Sequence, residues 1–165
     1  MASTQSSADL RKAIEVAARS FLAAYTDAYD HNDPSLINRD VTADCTRHML
    51  PSTMVKALGL PAEISIPNEA YIQNITQNIR VYSVRDSVIS DLVIDTEARK
   101  ASFTSKSNIV YKEGWESHPI EFSWYLDFTE DGSKVKKVTE FCDKDTVLLL
   151  HGRVMAGQPK YEGGS

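Results

Sequence analysis

The sequence predicts an α+β domain in which helices pack against one face of a curved antiparallel sheet. A helical period dominates the first 30 residues, whereas four β-rich stretches separated by short breaks occupy residues 82–142. Short breaks favour antiparallel neighbours, because parallel strands need a crossover of a dozen or more residues. Hydrophobic residues make up 42% of the 165 residues and charged residues 25%, which is typical of a folded single domain. About three helices are too few to fill the concave side of a curved sheet, so we expect an apolar hollow there.

The first 40 residues predict one long helix and one short helix. Apolar residues recur at three- and four-residue steps through residues 7–29, at Leu10, Ile14, Ala17, Phe21, Tyr25 and Ala28. Ser6, with Asp9 three residues later, resembles a capping box at the helix start. The stretch 31–34 breaks the helix, and Asp33 with Pro34 can open a short second helix over residues 35–38.

Residues 41–80 predict a strand, a long loop and a further helix. Val41 to Leu50 indicates the first strand, and the prolines and glycine of residues 51–67 indicate a loop. The helix covers about residues 68–80. Its predicted buried stripe is Ile72, Ile75 and Ile79, with Tyr71 and Asn78 on the flanks.

The second half predicts a meander of four strands followed by a helix. The strands lie near residues 82–95, 100–112, 118–129 and 134–142. The helix, near residues 145–156, contains the apolar run 147–150, which we expect to pack over the open end of the hollow. We therefore predict a single domain over residues 1–165, with its core at about 8–150 and a frayed tail at 157–165.

Composition argues against several kinds of partner and cofactor. The net charge of −5 argues against nucleic-acid binding, and the longest apolar run is far shorter than a membrane span. The first residues lack the apolar core of a secretory signal, so we expect a cytoplasmic protein with Cys45 and Cys142 as free thiols. These cysteines lie too far apart for a simple zinc motif, and no nucleotide or metalloprotease motif is present. We expect neither a metal nor a cofactor.

The order of elements and several short motifs resemble the NTF2-like superfamily, in its SnoaL-like and ketosteroid-isomerase-like branch. The motifs are DPSLI at 33–37, ADCTRH at 43–48, IEFSW at 120–124, EDGSKV at 130–135 and TEFCD at 139–143. The general character of the sequence is also similar to that of small fungal isomerases and cyclases of secondary metabolism. The resemblance implies a cone-shaped barrel around the helices, an internal pocket and a homodimer through the outer face of the sheet. The resemblance does not identify any catalytic residue in this sequence.

Alternation along the strands selects candidate catalytic residues. Arg47 and His48 are neighbours on the first strand, so only one of them can face the hollow, and the apolar pattern favours Arg47. Glu140 shares an apolar face with Val138 and Cys142, so it is either a base with a raised pKa or the partner of Arg47. Both residues could also form a structural pair without a catalytic role, and His48 is an alternative base.

Five further residues are candidates for substrate contact. Lys106 lies in the middle of a strand, where it either pairs with Glu121 across the ladder or faces the pocket as a cation. The others are aromatic. Tyr25 and Tyr29 lie one helical turn apart, Tyr71 begins the later helix, and Trp124 lies on an apolar strand face. The tyrosine hydroxyls could donate to a carbonyl oxygen.

These residues predict proton-transfer chemistry that needs no cofactor. One base and hydrogen-bond donors aimed at a developing oxyanion suffice for isomerisation or cyclisation, and dehydration remains open. The first hypothesis is an isomerase or cyclase acting on a bulky, mostly apolar natural product of polyketide or meroterpenoid type. The alternative is a non-catalytic small-molecule-binding or dimerisation module of the same fold, which a mutually paired Arg47 and Glu140 would favour.

Overall fold

A computed structural model describes residues 5–157 and confirms the predicted α+β class. In chain order its elements are α1 Ser7–Asp30, a 3₁₀ helix Pro34–Asn38, β1 Val41–Leu50, α2 Ser52–Ala57, β2 Ile66–Pro67, α3 Asn68–Asn78, β3 Tyr82–Asp95, β4 Lys100–Tyr111, β5 His118–Phe128, β6 Val135–Cys142 and α4 Lys144–Ala156. The Ser6 hydroxyl accepts a hydrogen bond from the Asp9 amide at 3.1 Å, which caps α1 as predicted.

The six strands form one curved sheet in the order β2-β1-β6-β5-β4-β3. Strands β3 to β6 are antiparallel neighbours, as predicted, whereas β1 joins β6 in parallel. The sheet curves around the helices as predicted, and it ends in two edges, β2 and β3, so the cone-shaped barrel is unclosed. Helix α1 lies along β3 on the concave side and buries its apolar stripe there.

The segment 51–67 is more ordered than the predicted loop. It contains α2, whose Met54 and Val55 are fully buried, and the two-residue strand β2, which pairs with β1. A six-residue helix spans fewer than two turns, so its sequence carries too short a repeat to reveal a helical period. Packing of Met54 against Cys142 instead supplies its stability.

Helix α3 presents a different face to the interior from the one predicted. Ile75 and Ile79 are buried as expected, but Tyr71 is buried too and Ile72 is only half-buried. Tyr71 contacts the Arg47 guanidinium and the Tyr25 hydroxyl, contacts that no local pattern shows. The helix is therefore turned toward α1 and β1.

Helix α4 borders the hollow, as predicted. Val154 is buried, and the half-buried Val147 and Leu150 line the internal cavity. Gly157 caps the helix, and the remainder of the predicted frayed tail, residues 158–165, lies outside the described residues. Of the helices within residues 5–157, none is both long and apolar enough to cross a membrane.

Candidate active site

The concave side of the sheet encloses a cavity with two adjoining chambers. The inner chamber, of about 130 Å³, lies between α1, α3 and the inner faces of β3 to β6. The outer chamber, of about 370 Å³, is lined by the segment after α2, by α3 and by α4. Tyr71, Asn78 and Tyr82 line both chambers, so the two adjoin. Most of the remaining lining is apolar, which is typical of a small-molecule site.

Glu140 brings a carboxylate to the wall of the inner chamber. Its side chain is 8% exposed, because β6 turns Val138, Glu140 and Cys142 toward the interior. Within residues 5–157 the carboxylate has no salt-bridge partner, and no side-chain hydrogen bond reaches it. Burial raises the pKa of Glu140 to about 7, and the positive charge of Arg47 offsets part of that rise.

Arg47 lies behind the cavity wall rather than on it. Its side chain is 2% exposed, and its guanidinium stacks on the Tyr71 ring at 4.1 Å from the ring centroid. Nη2 donates to the Ile37 carbonyl at 3.2 Å and to Asn38 Oδ1 at 3.0 Å. No salt bridge of 4.0 Å or less joins Arg47 to Glu140 in the described chain. The two charges therefore interact at a distance.

Two tyrosines connect Arg47 to the cavity. Nη1 of Arg47 donates to the Tyr25 hydroxyl at 3.2 Å, and that hydroxyl lies 2.9 Å from the Tyr71 hydroxyl. Burial raises the pKa of both phenols, so both keep their protons near neutral pH. Whichever phenol donates to the other, one O–H has no further acceptor in residues 5–157. Because both side chains line the inner chamber, that O–H is available to a bound ligand.

Trp124 forms the floor of the inner chamber beside Glu140, its direct neighbour across β5 and β6. Its Nε1 donates to Ser105 Oγ at 2.8 Å, so the indole leaves no unpaired donor. The ring can therefore offer an apolar surface to a substrate. Tyr29 also reaches the chamber, where its ring stacks on Tyr82 with centroids 5.2 Å apart.

Two candidates lie away from the cavity. His48 faces the other side of β1, where its Nε2 lies 3.1 Å from Thr46 Oγ1. Burial and the nearby Lys137 lower its pKa. Lys106 points outward from β4 and pairs with Glu121 at 3.5 Å, so the cross-strand pairing is confirmed and the pocket position is not. Neither His48 nor Lys106 lines either chamber.

Several polar residues of the cavity were not predicted as site residues from the sequence. Asn74 and Asn78 follow Tyr71 on one face of α3, at a three- and then a four-residue step, which was a usable signal. Tyr82 was missed because a tyrosine at the start of a strand is equally compatible with either face. Residues 5–157 contain no group of three or more His, Cys, Asp or Glu side chains that could hold a metal ion.

The fold is NTF2-like. No protein-family model matches the sequence, and no curated protein does. Among solved structures, an NTF2-like protein from Burkholderia pseudomallei aligns with a TM-score of 0.60 and 12% identity, over 84% of this chain and 96% of that one.

Fungal proteins align more fully. The BvnE pinacolase from Penicillium brevicompactum has a TM-score of 0.70 and 19% identity, over 91% of this chain and 99% of that one. PrhC from Penicillium brasilianum has a TM-score of 0.73 and 18% identity, over 90% of this chain and 92% of that one. At these identities the similarity establishes the fold.

Proposed function

We propose that the protein is a cofactor-independent isomerase or cyclase that acts by acid–base catalysis on a bulky, mostly apolar natural product in secondary metabolism. One observation carries this proposal. Glu140 is an unpaired carboxylate in an apolar cavity, and its pKa of about 7 suits proton transfer near neutral pH. A purely structural buried carboxylate would be expected to have hydrogen-bond partners.

The proposed reaction begins with Glu140 as the general base. Its carboxylate removes a proton from a carbon beside a carbonyl group, and the electrons of the C–H bond pass into an enolate. The free phenolic O–H of the Tyr25–Tyr71 pair donates to the enolate oxygen. In the isomerisation of a β,γ-unsaturated ketone, the enolate extends into the C=C as a dienolate. Protonated Glu140 then returns the proton to the γ carbon, and the double bond moves between the α and β carbons as the carbonyl re-forms. In a cyclisation, the enolate carbon bonds to a second carbonyl carbon, and the proton goes to that oxygen.

Arg47 is a positioning residue in this proposal. It does not reach the cavity, but it donates to Tyr25 and lies against the Tyr71 ring. A hydrogen bond from a cation makes the Tyr25 O–H a stronger donor, because the phenol oxygen loses electron density. Its charge also keeps the pKa of Glu140 from rising further.

The cavity and the comparison support the proposed substrate class. The two adjoining chambers, of about 130 and 370 Å³, offer space for a molecule larger than one ring, and their walls are mainly apolar. A fungal protein of similar fold, BvnE, is named a pinacolase. We extend the proposal to a polyketide or meroterpenoid substrate.

The non-catalytic alternative requires Arg47 and Glu140 to neutralise each other. They form no salt bridge, and several additional polar groups line the same cavity. This arrangement favours the enzyme over a binding module.

Exchange of carbon-bound hydrogen tests the proposal without knowledge of the natural substrate. The protein is incubated with trans-2-decalone in D₂O, and loss of the α-proton signals is followed by NMR. We expect wild-type protein to accelerate exchange and Glu140→Gln to lose the acceleration, while the outward-facing Glu121→Gln keeps it. Equal exchange by wild type and Glu140→Gln would refute Glu140 as the base.

We also propose a homodimer formed through the outer face of the sheet. Four large apolar side chains are exposed there, namely Val88, Val93, Tyr125 and Phe141. Apolar surface of this kind is commonly covered by a partner. Sedimentation at micromolar concentration should give about twice 18.4 kDa. Tyr125→Lys should shift the protein toward monomer, and a wild-type monomer would exclude the dimer.

A further inference from the structure

A second group of polar side chains lines the cavity away from Glu140. It consists of Tyr29 at the end of α1, Tyr82 at the start of β3 and Asn78 at the end of α3. We propose that this group, the distal polar subsite, binds a second neutral oxygen function of the substrate. The inference rests on the proposed function, because it assigns the other end of the same substrate.

The two phenols of the distal polar subsite are buried at the cavity wall, close to each other and to Asn78. Tyr29 is 5% exposed and Tyr82 is 4% exposed. Hydrogen bonding of Tyr29 with Tyr82 and with Asn78 shifts the pKa of Tyr29, so the three polar groups form one cluster. Two phenols that share one hydrogen bond still keep one O–H that is not used between them. Because both side chains line the inner chamber, that O–H is available to a bound ligand.

The chemistry of the subsite selects a neutral partner. Burial raises the pKa of Tyr29 and of Tyr82, so both hydroxyls remain protonated donors. Asn78 adds an amide that can both donate and accept. Among described residues that line the two chambers, Glu140 and His151 are the only ionisable groups other than tyrosines and Cys142, and neither belongs to this cluster. A ketone, hydroxyl or ether oxygen therefore fits better than a carboxylate or an ammonium group.

The helices set the distance between the two ends of the substrate. Tyr25 and Tyr29 are four residues apart on α1, which corresponds to roughly 6 Å along the helix axis. Tyr71 and Asn78 are seven residues apart on α3, or roughly 10 Å. A substrate that meets both groups needs polar atoms separated by about 6–10 Å. Oxygens on opposite ends of two fused six-membered rings meet this requirement.

A matched pair of rigid ketones tests the inference by binding alone. Dissociation constants of trans-2-decalone and trans-decalin-2,6-dione are measured by titration calorimetry. We expect the dione to bind wild-type protein about 3–10-fold more tightly, because it gains one net hydrogen bond. The double variant Tyr29→Phe/Tyr82→Phe should bind the two ketones with equal affinity. The exposed Tyr125→Phe is the control and should keep the preference.

Two outcomes would overturn the distal polar subsite. One is a wild-type protein without a preference for the dione, and the other is a preference that survives in a folded double variant. If the double variant does not fold, Asn78→Leu replaces it and should reduce the preference. Failure of the proposed function has a different signature. Wild-type protein would then prefer the dione yet fail to accelerate α-proton exchange, and the distal polar subsite would stand as a binding site.

Discussion

The inner and outer faces of the sheet each carry a carboxylate and a cation. The two pairs differ in their exposure to water and in whether they form a salt bridge. On the outer face, Lys106 and Glu121 lie 3.5 Å apart, and their side chains are 62% and 70% exposed. On the inner side, Arg47 and Glu140 are 2% and 8% exposed and form no salt bridge. Water solvates the outer pair, whereas the inner charges depend on protein groups.

This difference makes the inner carboxylate the better candidate for a general base. An exposed ion pair contributes about 0–1 kcal/mol, because water already solvates both charges. Glu140 has lost that solvation, and Arg47 is too distant to replace it. The raised pKa of Glu140 is the direct consequence. A salt bridge at the same depth would stabilise the carboxylate and remove its tendency to take up a proton.

The largest expected effect separates the two carboxylates by activity. Glu140→Gln keeps the side-chain shape and removes the base, so the rate of decalone exchange should fall by about 10²–10⁴-fold. Glu121→Gln should leave the rate within a factor of two of wild type, since the residue faces water. NMR detection of α-proton loss measures both. A comparable loss in the two variants would show that the inner position has no special role.

Glu140→Gln should lower the activity but raise the stability of the fold. Because the pKa of Glu140 is raised from 4.5 to about 7 in the folded protein, ionisation destabilises the fold as pH rises between these values. Above about pH 7 the penalty is constant, on the order of 3 kcal/mol. Glu140→Gln should therefore be more stable than wild type near pH 8.

Urea unfolding at two pH values tests this expectation. The advantage of Glu140→Gln should shrink as the pH is lowered toward 4.5, where the wild-type carboxyl is neutral in the folded state. Glu121→Gln should change the unfolding free energy by less than about 0.5 kcal/mol at either pH. A Glu140→Gln stability difference that is independent of pH would contradict the buried ionisation.

The influence of the inner cation should appear in the pH dependence of activity. Exchange by wild-type protein should rise with pH and level off above about 7, where Glu140 is ionised. Arg47→Gln removes a charge that lowers the pKa of Glu140, so the rise should move to higher pH. Lys106→Gln on the outer face should leave the profile unchanged. An unshifted profile in Arg47→Gln would show that the two inner charges do not interact.

The smallest expected effect is a change in ligand affinity, which compares the cavity side of α4 with its exposed side. Leu150 lines both chambers, whereas its neighbour Leu149 is 46% exposed. Leu150→Ala should weaken decalone binding by about 3–10-fold, because apolar contact with the ligand is lost. Leu149→Ala should have little effect. Titration calorimetry compares the two, and equal affinities would contradict the role of α4 as a cover of the cavity.

Local patterns determined most of the fold before any tertiary contact was known. Strand β1 has the predicted limits Val41 and Leu50, and β3 covers the predicted residues 82–95. The inward faces of β5 and β6 also follow the prediction, because a strand alternates its side chains with a strict period of two. The same rule is what brought Glu140 and Trp124 to one wall.

Tertiary structure alone decided how the site works. The sequence could not choose between a paired and an unpaired Glu140, since pairing depends on distances between strands that lie far apart in the chain. It could not show that Tyr25 stands between Arg47 and the cavity, or that Tyr29 and Tyr82 stack on each other at the cavity wall. Periodicity fixes which way a side chain points. Desolvation, which raises the pKa of Glu140, depends on every element packed around it.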